Sequence, residues 1–175
     1  AQRTIAVAGS SVKKPQYFKT KIGVKIEELI KITEVKKNSQ NRYINGDVLS
    51  GSISFKDGYV GFYNNLLSVI PEGNKYRMFG WLPFLDNNIP SLSRTSFSWL
   101  FSNKSFDIDT NLNGEERAMV VTGEMEKVFP MDIYPMQLLK ICMTGDIEKM
   151  EAFGIYEVVP EDFGLIDYSS TSKIE

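Results

Sequence analysis

The apolar and polar positions in the first third of the chain predict two strands followed by a helix. Residues 3–9, RTIAVAG, form a short apolar run that ends in glycine. Residues 16–23, QYFKTKIG, are rich in aromatic and β-branched residues. Both patterns are typical of strands. The next segment repeats its apolar positions at the spacing of one helix face, on Ile26, Leu29, Ile30 and Thr33.

The pattern becomes strand-like again after a polar loop. Residues 43–55, YINGDVLSGSISF, hold two glycine-containing turns, and residues 58–73, GYVGFYNNLLSVIPEG, contain one or two further strands. Two strands, a helix and more strands is the element order of a β-grasp module, in which a mixed sheet wraps over one helix. We therefore predict an α+β fold with a β-grasp module at residues 1–75.

Residues 76–118 show no clear period and are rich in aromatic side chains, including Trp81 and Trp99. We expect a connector that packs back on its neighbours. The same composition also fits a surface that faces a partner, because aromatic residues are enriched at interface cores. The aromatic stretch 74–101 also has the composition of a lining for an apolar ligand pocket.

Residues 119–175 change to helical periodicity and predict a small helical domain. One helix face is expected to carry Pro135, Leu138, Leu139 and Cys142, with the cysteine packed in the core. Gly145 suits the end of that helix, and Asp146 suits the N-cap of a helix that ends at Gly154. Pro160 fits the first turn of a third helix.

Composition excludes several classes of function. The chain has no histidine, a single cysteine and a net charge of −2 without a basic block. Histidine-dependent catalysis and a disulfide framework are therefore excluded, and nucleic-acid binding is disfavoured. No apolar run approaches the roughly 18 residues of a membrane span. The N-terminus does not resemble a signal peptide, and we expect the chain to be a piece of a longer protein. No paired acids and no dinucleotide fingerprint stand out, so we assign no catalytic, cofactor-binding or metal-binding residue.

Two stretches keep the spacing of the bacterial iron–sulfur motif C-x-x-C-x-x-C-x-x-x-C-P without its cysteines. The ligand positions of the first frame fall on Met119, Thr122, Met125 and Phe129, and those of the second on Pro160, Phe163, Ile166 and Ser170. Gly123 and Gly164 lie where that motif usually has glycine. The first frame also keeps the motif's proline, as Pro130, whereas the second has Thr171 there. None of the eight ligand positions holds a thiolate. Spacing alone leaves open whether these are vacated cluster sites or ordinary turns.

Short sequence segments along the whole chain resemble the C-terminal part of the A subunit of the Na+-translocating NADH:quinone reductases. The matching segments are RTIAVAGSSVKKPQYFKTKIGVKIEEL, INGDVLSG, VIPEGNKYRMFGWL, TNLNGEERAMV, VFPMDIYPMQLLK and GDIEKMEAFGIYEVVPEDFGL. They occur in order and cover essentially all 175 residues. The resemblance implies a soluble-ligand-binding β-grasp (SLBB-like) module. It also implies a helical domain related to iron–sulfur-binding helical domains. That family retains at most a partial frame, C-x-x-x-C-P, and here Ile166 and Ser170 occupy its two cysteine positions.

The resemblance also implies a function. The complex oxidises NADH, reduces ubiquinone and exports Na+, and this subunit lies peripherally on the cytoplasmic side of the bacterial inner membrane. Other subunits carry the flavins and the iron–sulfur centre. We expect this chain to be a scaffold and interaction part of that complex without a redox centre of its own. The alternative is a quinone- or small-ligand-binding β-grasp module. If the two frames descend from cluster sites, they should meet in one helical lobe with apolar side chains buried between them.

Overall fold

The computed structural model describes residues 1–36, 40–74, 97–100, 103, 105–112 and 117–170. The chain divides into two compact units, Ala1–Gly114 and Glu115–Glu175, called here the first and the second unit. Most of the predicted connector, including residues 76–96, lies outside the described residues, and so does the expected packing of that part.

The first unit is a mixed five-stranded sheet with one α-helix. Its elements are β1 (Gln2–Ala8), β2 (Gln16–Lys21), α1 (Ile26–Thr33), β3 (Asn41–Asn45), β4 (Ser52–Ser54), β5 (Leu66–Pro71) and a 3-10 turn at Phe97–Leu100. The strand order is β2-β1-β5-β3-β4. The β1–β5 pair is parallel and the other pairs are antiparallel. The predicted α+β class is therefore confirmed for the sheet and its helix, and the stretch 58–73 supplies one strand.

The core of the first unit lies between α1 and the sheet. All four residues predicted on the helix face are buried. They pack with alternate residues of the central strands, namely Ile5, Val7, Leu67 and Val69. On the other face of the sheet, Ser68 and Ile70 are also buried. Because both faces of β5 are covered, its sequence reads as the near-continuous apolar run LLSVIP.

The helix α1 ends at a position whose backbone conformation favours glycine. Glu34 caps it with φ of +52°, the left-handed region, which costs an L-residue about 1–2 kcal/mol. Replacing Glu34 with glycine is therefore expected to raise the free energy of unfolding by up to about 1 kcal/mol. Urea denaturation measures this, with Glu28→Gly in the first turn as the control. That change is expected to destabilise by about 1 kcal/mol. A destabilised Glu34→Gly variant would contradict the assignment of this cap.

A three-residue clasp holds the segment 105–112 beside the end of β5. Arg42 Nε donates to Glu72 Oε2 at 2.9 Å, and a second guanidinium nitrogen pairs with Oε1. The Thr110 hydroxyl donates to the same Oε1 at 3.2 Å and accepts from the Gly73 N–H. Arg42 thereby holds the pKa of Glu72 below its usual range.

The lowered pKa makes the clasp stabilising above the ordinary carboxyl pKa of about 4.3. Its contribution is lost as pH falls through the lower folded value. Glu72→Gln is expected to destabilise the first unit by about 1 kcal/mol or less near pH 7, since the pair is partly solvated. The difference should shrink near pH 3. Urea midpoints at the two pH values measure this, with Glu34→Gln in the exposed Lys13–Glu34 pair as control. An equal difference at both pH values would refute the clasp.

The regular elements of the second unit within residues 117–170 are helices and 3-10 turns joined by irregular segments, and no strand occurs in that range. It contains α2 (Glu124–Val128), α3 (Pro135–Thr144), α4 (Ile147–Ala152), 3-10 turns at Ile155–Glu157 and Pro160–Phe163, and α5 (Gly164–Ser169). The predicted caps are confirmed. Gly145 ends α3 with φ of +73°, and the Asp146 carboxylate accepts from the Lys149 N–H of α4 at 3.2 Å.

Candidate functional site

The two iron–sulfur-like frames meet in the core of the second unit. Met125, Phe129 and Ile166 are buried in one cluster with Met136, and Met119 and Phe163 pack against that cluster. The Phe129 and Phe163 rings lie 5.1 Å apart between centroids. The expectation that the frames share one helical lobe and bury apolar side chains is confirmed for these positions.

The other frame positions differ in how far their side chains are buried. Thr122 and Pro160 are exposed, and Ser170 is buried. Thr171 lies outside the described residues. In a two-cluster ferredoxin the fourth ligand of each run binds the other cluster, so the frames predict Ser170 nearest Met119, Thr122 and Met125. That finer arrangement stays a prediction. Within the described part of the chain, no group of three or more His, Cys, Asp or Glu side chains is placed to hold a metal ion.

The prediction that Cys142 packs in the core is wrong, because its side chain is exposed. The periodicity places it on the same face of α3 as Pro135 and Leu138, which are buried. However, Cys142 lies in the last turn of α3, where Met143 is also exposed. Helical spacing gives a residue's angle around the axis but does not show where along the axis the neighbouring core ends.

The strongest cluster of exposed side chains in the first unit lies at one end of the sheet. We call this the loop end: the end where β1 and β5 begin and where β2 and β3 finish. Three connections lie there, residues 22–25, 46–51 and 59–65. Their positions follow from the strand directions, because the parallel β1 and β5 start at the same end and their antiparallel neighbours stop there.

Arg3 fixes the connection 59–65 from the side of β1. Its guanidinium donates to the carbonyl oxygens of Gly61 and Asn64 at 3.4 and 2.8 Å, and to that of Phe62. Its Nε donates to the Asn65 side chain at 3.0 Å. A planar guanidinium has five donors in a fixed geometry, so one side chain orders most of this loop.

Two further side chains, Asn45 and Asp47, order parts of the connections 59–65 and 46–51. Asn45 Nδ2 donates to the Tyr59 carbonyl at 3.3 Å, and Asn45 Oδ1 accepts from the Gly61 N–H at 3.4 Å. The Asp47 carboxylate accepts from the N–H groups of Leu49 and Ser50, both at 2.8 Å. The Ser50 hydroxyl donates to it as well, at 2.7 Å. Hydrogen bonds from Ser50 and Leu49 lower the pKa of Asp47, so the turn holds an ionised carboxylate.

These ordered turns present apolar side chains to solvent. Tyr63 is 89% exposed, Phe62 64% and Tyr59 58%. The Phe62 and Tyr63 rings contact edge to face, with centroids 5.0 Å apart. Ile22, Val48 and Leu49 are exposed on the neighbouring turns. Because the loop backbones are pinned, these side chains are held outward and cannot fold into the core.

Sequence reasoning missed this surface. It predicted one or two strands within residues 58–73 and placed the candidate contact or pocket aromatics in 74–101, most of which lies outside the described residues. A signal was present: the aromatic pair Phe62-Tyr63 is followed directly by Asn64 and Asn65, and paired asparagines favour turns. The side chains that the loop end exposes most are apolar rings and aliphatic chains, whose chemistry is that of a contact surface.

Comparison with known proteins identifies relatives of the chain. Residues 4–55 match the family described as NQRA C-terminal domain. Over 99% of its length, the chain is 37% identical to the A subunit of the Na(+)-translocating NADH-quinone reductase of Neisseria meningitidis serogroup B. It is 35% identical to the corresponding protein of Serratia proteamaculans and 37% identical to that of Marinomonas sp., again over 99% of its length. Over nearly its whole length the chain is similar to part of the NQRA proteins.

This confirms the resemblance indicated by the sequence. The chain spans 38% of the length of the Neisseria and Serratia relatives and 39% of the Marinomonas one. The stretch that matches the NQRA C-terminal domain contains α1 and all strands except β5, and it includes two of the three connections at the loop end. Among the described helices, none is both long and apolar enough to cross a bilayer.

Proposed function

We propose that this chain is part of the A subunit of a Na+-translocating NADH-quinone reductase, where it serves as a scaffold and interaction part. The observation that carries the proposal is the similarity over 99% of the chain to proteins of that name. The complex oxidises NADH, reduces ubiquinone and exports Na+, and its other subunits are the partners of this chain. The NQRA protein is peripheral, on the cytoplasmic side of the membrane.

The scaffold role rests on the core of the second unit. Iron–sulfur clusters need thiolate ligands, and the frame positions that meet in this core carry Met125, Phe129, Phe163 and Ile166. Apolar side chains of suitable volume can fill such a space and keep a helical unit folded. The flavins and the iron–sulfur centre then belong to other subunits, and a ubiquinone site belongs to the full NQRA protein and not to this chain alone.

The same proposal assigns a domain to each part of the chain. Residues 1–75 form the SLBB-like β-grasp module, residues 76–118 the connector, and residues 119–175 a helical domain that descends from iron–sulfur-binding domains. The five-stranded sheet supports the first assignment. The meeting of the two frames in one core supports the third.

Two measurements test this function. The purified chain is expected to contain no iron or acid-labile sulfide and to oxidise no NADH; stoichiometric iron or NADH turnover would refute a scaffold without a redox centre. In the second, the tagged chain is co-expressed with the other subunits of the Neisseria meningitidis complex. It is expected to retain them on an affinity resin, and a folded chain that retains none would refute its place in the complex.

A further inference from the structure

The loop end exposes apolar side chains from all three of its connections. Among the described residues at the opposite end, 9–15 and 34–36 expose no large apolar side chain. The segment beside them leaves Ile108 and Leu112 partly exposed. Other exposed apolar residues of the unit lie on or next to the edge strands β2 and β4, among them Tyr17, Ile53 and Phe55. The loop end therefore differs from the opposite end in its connections.

Lysines of β2 and of the connection that follows it lie on one side of this apolar surface. Lys19, Lys21 and Lys25 are exposed and make no ion pair with any described residue. Lys25 Nζ lies 5.9 Å from the centre of the Tyr59 ring. The segment 13–25 holds five lysines and neither acid nor arginine. The first unit has fifteen basic and nine acidic residues, a net charge of +6; the second has five basic and thirteen acidic residues, a net charge of −8.

We propose that the loop end contacts the surface of a lipid bilayer that contains anionic lipids. Phe62, Tyr63 and Tyr59 enter the headgroup region, where amphipathic rings are favoured. Lys21 and Lys25 lie beside the lipid phosphates. Clusters of lysines next to an apolar surface gain attraction from the negative potential of such a membrane.

The side-chain composition favours a lipid surface over a protein partner. Arginine is enriched and lysine is depleted at protein–protein interfaces, and the cations beside this apolar surface are lysines, while Arg3 is used within the loop. The one acid in the three connections is Asp47, whose carboxylate accepts hydrogen bonds within its own turn. Lysine on an edge strand also prevents strand pairing, which accounts for Lys19 and Lys21. It does not account for Lys25, Phe62 or Tyr63, which lie outside the strands.

The pinned loops favour binding as well. Arg3, Asn45 and Asp47 already order the turns in the free chain, so little conformational entropy is lost on contact. This contact goes beyond the proposed scaffold role, because it assigns a membrane-binding surface within the chain. It stands even if the chain binds no other subunit.

Vesicle co-sedimentation of the full chain tests the proposal. The chain is expected to bind vesicles of phosphatidylcholine mixed with phosphatidylglycerol, to bind pure phosphatidylcholine far more weakly, and to dissociate as salt rises. Phe62→Ser with Tyr63→Ser should lower partitioning about tenfold or more. The triple Lys19→Gln, Lys21→Gln, Lys25→Gln variant should lower it about fivefold per lysine at low salt. All five side chains are exposed, so the variants should keep the wild-type circular dichroism.

The matched control removes the same charge elsewhere. Lys13, Lys31 and Lys36 each pair with an acid, and their triple glutamine variant should lower partitioning much less. Tyr134→Ser on the exposed surface of the second unit is the aromatic control. The proposal is overturned if the chain does not bind anionic vesicles at low salt. That result would assign the surface to a protein partner. The proposal is also overturned if the loop-end variants bind as well as their controls.

Discussion

Replacing Gly9 with alanine is expected to lower the free energy of unfolding of the first unit by about 3–5 kcal/mol. Gly9 follows β1 with φ of +124°, a conformation that L side chains rarely adopt. A Cβ there would lie 2.7 Å from the Val69 backbone N and C, and closer still to its carbonyl oxygen. That oxygen accepts from the Ser11 N–H at 3.1 Å. The added carbon must therefore push β1 away from the centre of the sheet.

Urea denaturation followed by tryptophan fluorescence measures this loss, because both tryptophans, Trp81 and Trp99, belong to the first unit. Gly23→Ala is the matched control. Gly23 also has a positive φ, +73°, but nothing lies within 4 Å of the added Cβ, so the expected cost is only about 1–2 kcal/mol. Equal losses at the two sites would show that backbone conformation alone, and not the close approach to β5, sets the effect.

Truncating Phe129 to alanine is expected to destabilise the second unit by about 3–5 kcal/mol. The ring is 7% exposed and packs against Phe163 and the buried Ile166 cluster. A unit this small has a core that supplies only about 3–5 kcal/mol, so the variant should leave it largely unfolded. The apolar residues at the frame positions would then be what keeps the helices together.

Hydrogen exchange of the α3 and α5 amides measures the loss, since the second unit contains no tryptophan. Protection in both helices should collapse in Phe129→Ala and persist in Tyr134→Ala, where the ring is 64% exposed. Unchanged protection in Phe129→Ala would mean that the frame positions do not form the core.

Local patterns predicted the local structure well. The apolar face of α1 and the caps at Gly145 and Asp146 depend on residues three or four positions apart, and the chain shows them directly. The strand order is different in kind. β1 pairs in parallel with β5, which lies far along the chain, and no periodicity within either strand encodes that choice of partner.

The missed features share a physical cause. Cys142 is exposed because the core beside α3 stops before its last turn. Phe62 and Tyr63 are exposed because Arg3, distant in sequence, holds their loop by its carbonyl oxygens. A strand-like pattern of apolar residues predicts burial, and only a known tertiary contact of this kind would correct that prediction. In contrast, the spacing of the two frames anticipated that Phe129 and Ile166 would meet in one core.

The most direct measurement of the proposed function is NADH-dependent quinone reduction by a complex that contains this chain. The segment of the Neisseria meningitidis NQRA protein that aligns with residues 1–175 is replaced by this sequence. The chimeric complex is expected to assemble and to turn over, with the same iron content as the parent complex. A chimeric NQRA protein that folds but leaves the other subunits unassembled, or an assembled complex that contains extra iron bound to this chain, would contradict the account.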